Sequence, residues 1–325
     1  MTQEEIKINI ENQIEDFRKT LKPDEIAESE QDFNPKKTKL IYFNVNFEFT
    51  KITDLGTLEV IDGYADFKNS KIKNLGNLKI IGGYVSFSNS EIFDLGKLKS
   101  VQSDVYLTNS KVTNLGNLTT IGGDISFRYI TNLGNLTTIG SYASFHGSKV
   151  TDLGNIRIIG GGCRFQDSEV ISLANLKFIG KNADFTDSKI KNLGNLTTIV
   201  GEAAFENSQV ENLGNLTTIG GDANFNNSSI NNLGNLSYIG GYIYANGNKL
   251  TKEQVELHIK KMNAINIIKK GLYYISKGKI FMQPREGEWG FTLGKSINRF
   301  SLSSKGRDFL IRDLKFNDNG TIALR

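Results

Sequence analysis

The chain has 325 residues, 38% of them hydrophobic, and carries one cysteine and two histidines. A single cysteine excludes an internal disulfide framework, and histidines in separate segments (His146, His258) exclude a histidine-rich metal site. The net charge of +4 conceals a division: residues 1–34 hold ten acidic against four basic residues, whereas residues 249–325 hold sixteen basic against seven acidic.

From the amino end, Ile6, Ile10, Ile14, Phe17 and Leu21 recur at helical spacing and Pro23 closes the pattern. An acidic amphipathic helix over residues 3–21 is expected, within a cap or arm spanning 1–34 that covers the first coil of the repeat array. The start lacks a basic segment followed by an apolar one, and no run approaches the ~18 apolar residues of a membrane span. A cytoplasmic protein, or a component of a particle, is the expectation.

A twenty-residue unit then recurs about ten times between Phe47 and Leu250, as Leu-Gly-Asn-Leu-x-x-Ile-Gly-Gly-x-Ala-x-Phe-x-Asn-Ser-x-Ile-x-Asn. Its anchor leucines are Leu55, Leu75, Leu95, Leu115, Leu133, Leu153, Leu173, Leu193, Leu213 and Leu233, and they number the coils one to ten. Every interval is twenty except the eighteen between Leu115 and Leu133. Such a period marks a solenoid in which each repeat contacts its neighbours. Counting the anchor as zero, offsets +3, +6, +10, +12 and +17 change almost only to other apolar residues, which is how an interior behaves. Around +9 to +13 polar and apolar residues alternate, as in Asp124-Ile125-Ser126-Phe127-Arg128, so a short half-buried strand is expected there. Asn-Ser at +14 and +15 and Asn or Asp at +19 are turn formers, and an asparagine ladder inside the stacked turns is anticipated. Cys163 replaces the small apolar residue at +10 and reads as a buried hydrophobe.

The spacing Leu115-Gly-Asn-Leu118-Thr-Thr-Ile121-Gly-Gly123 resembles leucine-rich repeats and, more closely, the receptor L domain, over residues 40–250. The resemblance implies a parallel β-helix or related solenoid that binds proteins or peptides. It carries over no individual binding residues, and the cysteines that flank receptor L domains are missing. The fold class expected is therefore mainly β: a single-stranded parallel β-solenoid of about ten coils over 35–250, with helical caps at both ends.

After Leu250, Thr251-Lys-Glu-Gln254 has the form of a capping box, and Val255, Ile259 and Met262 continue at helical spacing. A helix over 251–270 should plug the last coil. Residues 271–325 alternate short apolar runs with turns such as Lys277-Gly278 and Asn319-Gly320, which predicts a small basic antiparallel β unit.

No phosphate-binding loop occurs, no nucleophile stands beside a base in any recognisable pattern, and no cofactor is expected. What varies is the outward strand face at +9, +11 and +13. Tyrosine and arginine on a rigid surface suit an interface, so Tyr64, Tyr84, Asp104, Tyr106, Asp124, Arg128, Tyr142 and Arg164 are the candidate binding residues. The two missing residues between Phe127 and Leu133 put Arg128 and Tyr129 into an unusual corner. A non-enzymatic protein-binding scaffold is the leading expectation. A structural subunit of a larger assembly, such as a phage particle or secretion machine, with partner proteins or further copies of itself, and a carbohydrate-binding or carbohydrate-cleaving β-helix with Asp104 and Asp124 as its acids are the alternatives. Nucleic acid is not an expected partner.

Overall fold

The computed structural model describes residues 3–245, 250–267 and four short strands between 273 and 324, with side chains placed as far as Lys261. The repeats form a parallel β-solenoid whose coils pair in register, residue for residue at twenty-residue steps: Thr198 with Thr218, Ala203 with Ala223. Each coil contributes two strands of two residues rather than one. The first lies at +5 and +6 (Thr120–Ile121 in coil four) and builds a twelve-stranded sheet; the second lies at +10 and +11 (Ile125–Ser126) and builds an eleven-stranded sheet. The first sheet was not expected because its strand has one inward residue, at +6, and so shows no alternation.

The interior is the one the repeat pattern specifies. Leu115, Leu118, Ile121 and Phe127 are fully buried, as are their equivalents in the central coils. The +12 rings stack nearly parallel at coil spacing, with centroids 5.0 Å apart for Phe145 and Phe165 and 5.3 Å for Phe165 and Phe185. Burying one such side chain stabilises by ~1.5–3 kcal/mol, less than the ordering of twenty residues costs at ~1 kcal/mol or more each, so the interior must be shared along the stack. Cys163 sits in this interior as a buried free thiol, and burial pushes its pKa up, away from reactivity.

The asparagines do not form the ladder anticipated from the sequence. Among the described residues only Asn109 donates to its counterpart Asn89, at 3.2 Å. Asn69 donates instead to the Glu48 carboxylate, and the asparagines at +19 and +2 bond backbone. At +19, Asn114 Oδ1 accepts the Gly116 N–H at 2.9 Å within its own turn, and at +2, Asn117 Nδ2 donates to the Gly96 carbonyl one coil earlier at 2.8 Å. The corner at +14 is left-handed, with φ of 53° at Asn69 and 52° at Asp187, a conformation that asparagine and aspartate tolerate better than most side chains. Phe49 holds the same conformation with its side chain 77% exposed.

The amino-terminal helix α1 (Gln3–Arg18) buries Ile6, Ile10 and Ile14 as the spacing predicts. Its position differs from expectation. It lies along the flank of the solenoid, on the outward side of the first sheet, against Leu40, Val60 and Ile80. Closure of the first coil falls to the segment after it, where strand Ile26–Ala27 pairs with Leu40–Ile41 and the Phe33 ring meets Phe47 edge-on at 6.3 Å. Of the expected 1–34 cap, residues 3–34 are thus helix plus a first partial coil, because an amphipathic stripe specifies that a surface is buried without specifying which.

At the other end α2 (Lys252–Ile267) plugs the last coil with fully buried Val255. Its capping box is complete: the Thr251 hydroxyl accepts the Gln254 N–H at 3.2 Å, and Gln254 Oε1 accepts the Thr251 N–H at 2.7 Å. His258 packs partly buried here, and that burial lowers its pKa. Beyond α2, Tyr273–Ser276 pairs antiparallel with Lys279–Met282, and Leu314–Phe316 with Ile322–Leu324. The remainder of the expected unit over 271–325, including the run Trp289–Leu293, lies outside the described residues.

Candidate functional site

The candidate residues stand on the outward side of the second sheet, and coil stacking brings them into rows. Tyr64 and Tyr84, both at +9, stack with centroids 4.7 Å apart. Tyr106, at +11 in coil three, meets Tyr84 edge-on at 5.9 Å and donates its hydroxyl to Asp104 Oδ2 at 2.9 Å. That bond, partial burial and the nearby carboxylates of Asp104 and Asp124 raise the Tyr106 pKa, so this phenol keeps its proton as a donor.

Asp104 and Asp124 have a structural task that their sequence positions did not reveal. Asp104 Oδ1 accepts the Asp124 N–H at 2.7 Å, and Asp124 Oδ1 accepts the Tyr142 N–H at 2.8 Å. Asn44, Asn182 and Asp222 do the same for the next coil's +9 N–H. At this corner between the sheets the side chain replaces a backbone acceptor, satisfying a donor that would otherwise be unpaired. Each of these two carboxylates therefore has one oxygen committed to the scaffold.

The second sheet opens at one step. In every other coil from Phe47 to Phe225 the +12 N–H donates to the +11 carbonyl of the following coil, as Phe87 does to Tyr106 and Phe127 to Ser144, both at 2.8 Å. Leu107 makes no such bond to Ser126, and the pairing between these two coils is reduced to Ile125 with Val105. Two sequence irregularities meet here. Leucine replaces phenylalanine at position 107, which interrupts the ring stack, and coil four lacks two residues after Phe127, which draws its corner inward. A hollow of about 420 Å³ results, walled by Tyr106, Asp124, Arg128, Tyr129 and Tyr142 with Leu107 and Ser126 at its floor. Arg128 lies over the Tyr129 ring at 5.8 Å. Tyr129 was recognised from sequence as displaced but not as a wall of the site. The shortened interval was the signal for it.

Tyr142 divides this hollow from a second depression, lined by Gly162, Asn182 and Asp184. Gly162 is the one glycine at +9, and a Cβ there would stand 3.5 Å from the Tyr142 ring. Partial burial is the main cause of a raised Tyr142 pKa, with Arg164 opposing it. Arg164 is set further along, 3.9 Å from Asp184 and bonded to Gln166. Four of the eight candidates therefore surround the hollow, Asp104 supports it, Tyr64 and Tyr84 extend it towards the amino end, and Arg164 adjoins the neighbouring depression. Among the described residues no three His, Cys, Asp or Glu side chains converge as metal ligands would, and no helix is long and apolar enough to cross a membrane.

Comparison with protein-family models, with curated proteins and with solved structures gives no match to this chain.

Proposed function

We propose that this solenoid is a non-enzymatic binding protein that docks a polypeptide partner on the outward face of the second sheet, centred on the opening between coils three and four. The observation that carries this reading is the single broken step in the ladder, with tyrosines around it. The Leu107 N–H and the Ser126 carbonyl form one donor and one acceptor left over from strand pairing, and an amide of a partner supplies the complement to both. Tyr106, Tyr129 and Tyr142 provide contact area at low conformational cost. The likeness of the repeat to receptor L domains supports a binding role as well.

Affinity capture with the wild-type chain and with a Tyr106→Ala/Tyr129→Ala/Tyr142→Ala variant tests the proposal. Partners retained by the wild type should be lost by the variant while its circular dichroism is unchanged. An identical partner set for both proteins would remove this face from consideration. Saturable binding to an immobilised glycan that Tyr142→Ala abolishes would replace the polypeptide by a carbohydrate.

A further inference from the structure

The seat of α1 is longer than α1. Sixteen residues of helix extend about 24 Å, or about five coils at ~4.8 Å per coil. The contacts agree with that length: the Ile14 side chain reaches Gly82 in coil two, and Ile6 reaches Gly140 in coil five, each within about 3 Å of where a Cβ would stand. Glycine at +7 therefore lets the helix approach the sheet, while the +5 side chains form the floor. Under the helix that floor is buried at Leu40, Val60, Ser100 and Thr138 and partly buried at Ile80 and Thr120.

Past coil five no helix among the described residues lies on the same track. Glycine continues at +7 in Gly160 and Gly180. The +5 floor becomes apolar again at Ile158 and Phe178, both partly exposed, passes through Thr198 and Thr218, and ends in Tyr238, 53% exposed. Val200, which replaces glycine at +7 in coil eight, is 48% exposed. Arg157, Lys177 and Lys181 flank this stretch, all exposed and with no ion-pair partner among the described residues.

We infer that coils six to ten carry a second helix seat, in line with the first, for an acidic amphipathic helix of a partner protein. The helix already bound in the first seat shows what the track accepts: an isoleucine stripe on a segment with five acidic and two basic residues. Charge selects among occupants. A second copy of this face would oppose Arg157, Lys177 and Lys181 with their own like charges, and the basic segment 249–325 of this chain would be repelled in the same way.

The test is fluorescence anisotropy with a labelled peptide of residues 1–21 added to the full chain. The chain's own helix keeps the first seat because its tether holds it at an effective concentration of about millimolar. The peptide should bind saturably. Phe178→Asp, and separately Arg157→Glu/Lys177→Glu, should each weaken it by about tenfold or more, while Tyr106→Ala leaves it unchanged. The charge reversal lies on exposed positions, so the test survives if Phe178→Asp disturbs folding. Absence of saturable binding, or binding indifferent to the charge reversal, would overturn the inference. So would a wild-type dimer that Phe178→Asp dissolves, since the occupant would then be a second copy. Because Tyr106 is outside this seat, failure here leaves the proposed tyrosine-lined site standing, and the converse holds.

Discussion

Replacing Phe165 by alanine probes the interior at its most regular point. Its ring is fully buried and lies between Phe145 at 5.0 Å and Phe185 at 5.3 Å, with interplanar angles of 8° and 6°. Stacking of near-parallel rings adds about 0.5–1.5 kcal/mol beyond area burial, so most of the value of this residue is burial and filled volume. Phe165→Ala should then cost about 3–5 kcal/mol, the usual range for a buried phenylalanine that leaves a cavity. Phe165→Leu removes less volume and should cost less, about 1–2 kcal/mol, and coil three holds Leu107 at this position already. A solenoid does not unfold as one unit under every perturbation, so amide exchange is the suitable assay. The Phe145 N–H, bonded to the Arg164 carbonyl at 2.8 Å, and the Phe165 N–H, bonded to Asp184 at 2.9 Å, should lose protection in the alanine variant. The Phe67 N–H, bonded to Ser86 at 2.8 Å in coil one, should lose much less. A loss under about 1 kcal/mol for the alanine variant would refute an interior ring. Equal losses for leucine and alanine would show that ring stacking outweighs burial.

Two further predictions concern corners. Ala174 occupies a left-handed position, φ 47°, where every other coil has glycine, and relieving its Cβ strain by Ala174→Gly should stabilise by about 1 kcal/mol, read as a higher denaturant midpoint. Asp62 is partly buried under α1, and that desolvation, followed by Glu11, raises its pKa, with Arg18 opposing and Glu15 adding to the rise. The folded state therefore holds this proton to higher pH than the unfolded one, and the stability so gained is lost as pH rises through the folded pKa. Asp62→Asn should raise Tm at pH 7 and leave it unchanged near about pH 3, below the ordinary aspartate range; an equal rise at both would assign the effect to packing.

Much of the fold was legible because the interior repeats itself. Six offsets restricted to apolar residues named the buried set, and Leu115, Leu118, Ile121, Ile125 and Phe127 all lie inside. The first sheet was hidden because Thr120–Ile121 presents one residue to each side, too few for a period. The seat of α1 had a trace in the sequence: the outward +5 position is apolar at Leu40, Val60 and Ile80, where coils three to five place Ser100, Thr120 and Thr138. The candidate face was legible as a row of variable positions. The opening beside Leu107 was not, because it requires a smaller core residue in one coil and a shortened corner in the next to act on the same ladder step. The roles of Asp104 and Asp124 were also hidden, since a side chain that accepts a neighbouring coil's N–H has no signature within its own repeat.

In-register stacking of the coils is what every row of side chains depends on, and paired cysteines measure it directly. Ala204 and Asn224 are register partners on the outward side of the second sheet, where Cα atoms about 4.8 Å apart suit a disulfide. Asp184 and Asn224 stand two coils apart, about 9.6 Å and beyond its reach. In a Cys163→Ala background, mild oxidation should close Ala204→Cys/Asn224→Cys rapidly without loss of Tm and should leave Asp184→Cys/Asn224→Cys open. Closure of the distant pair in place of the adjacent one would contradict the stack.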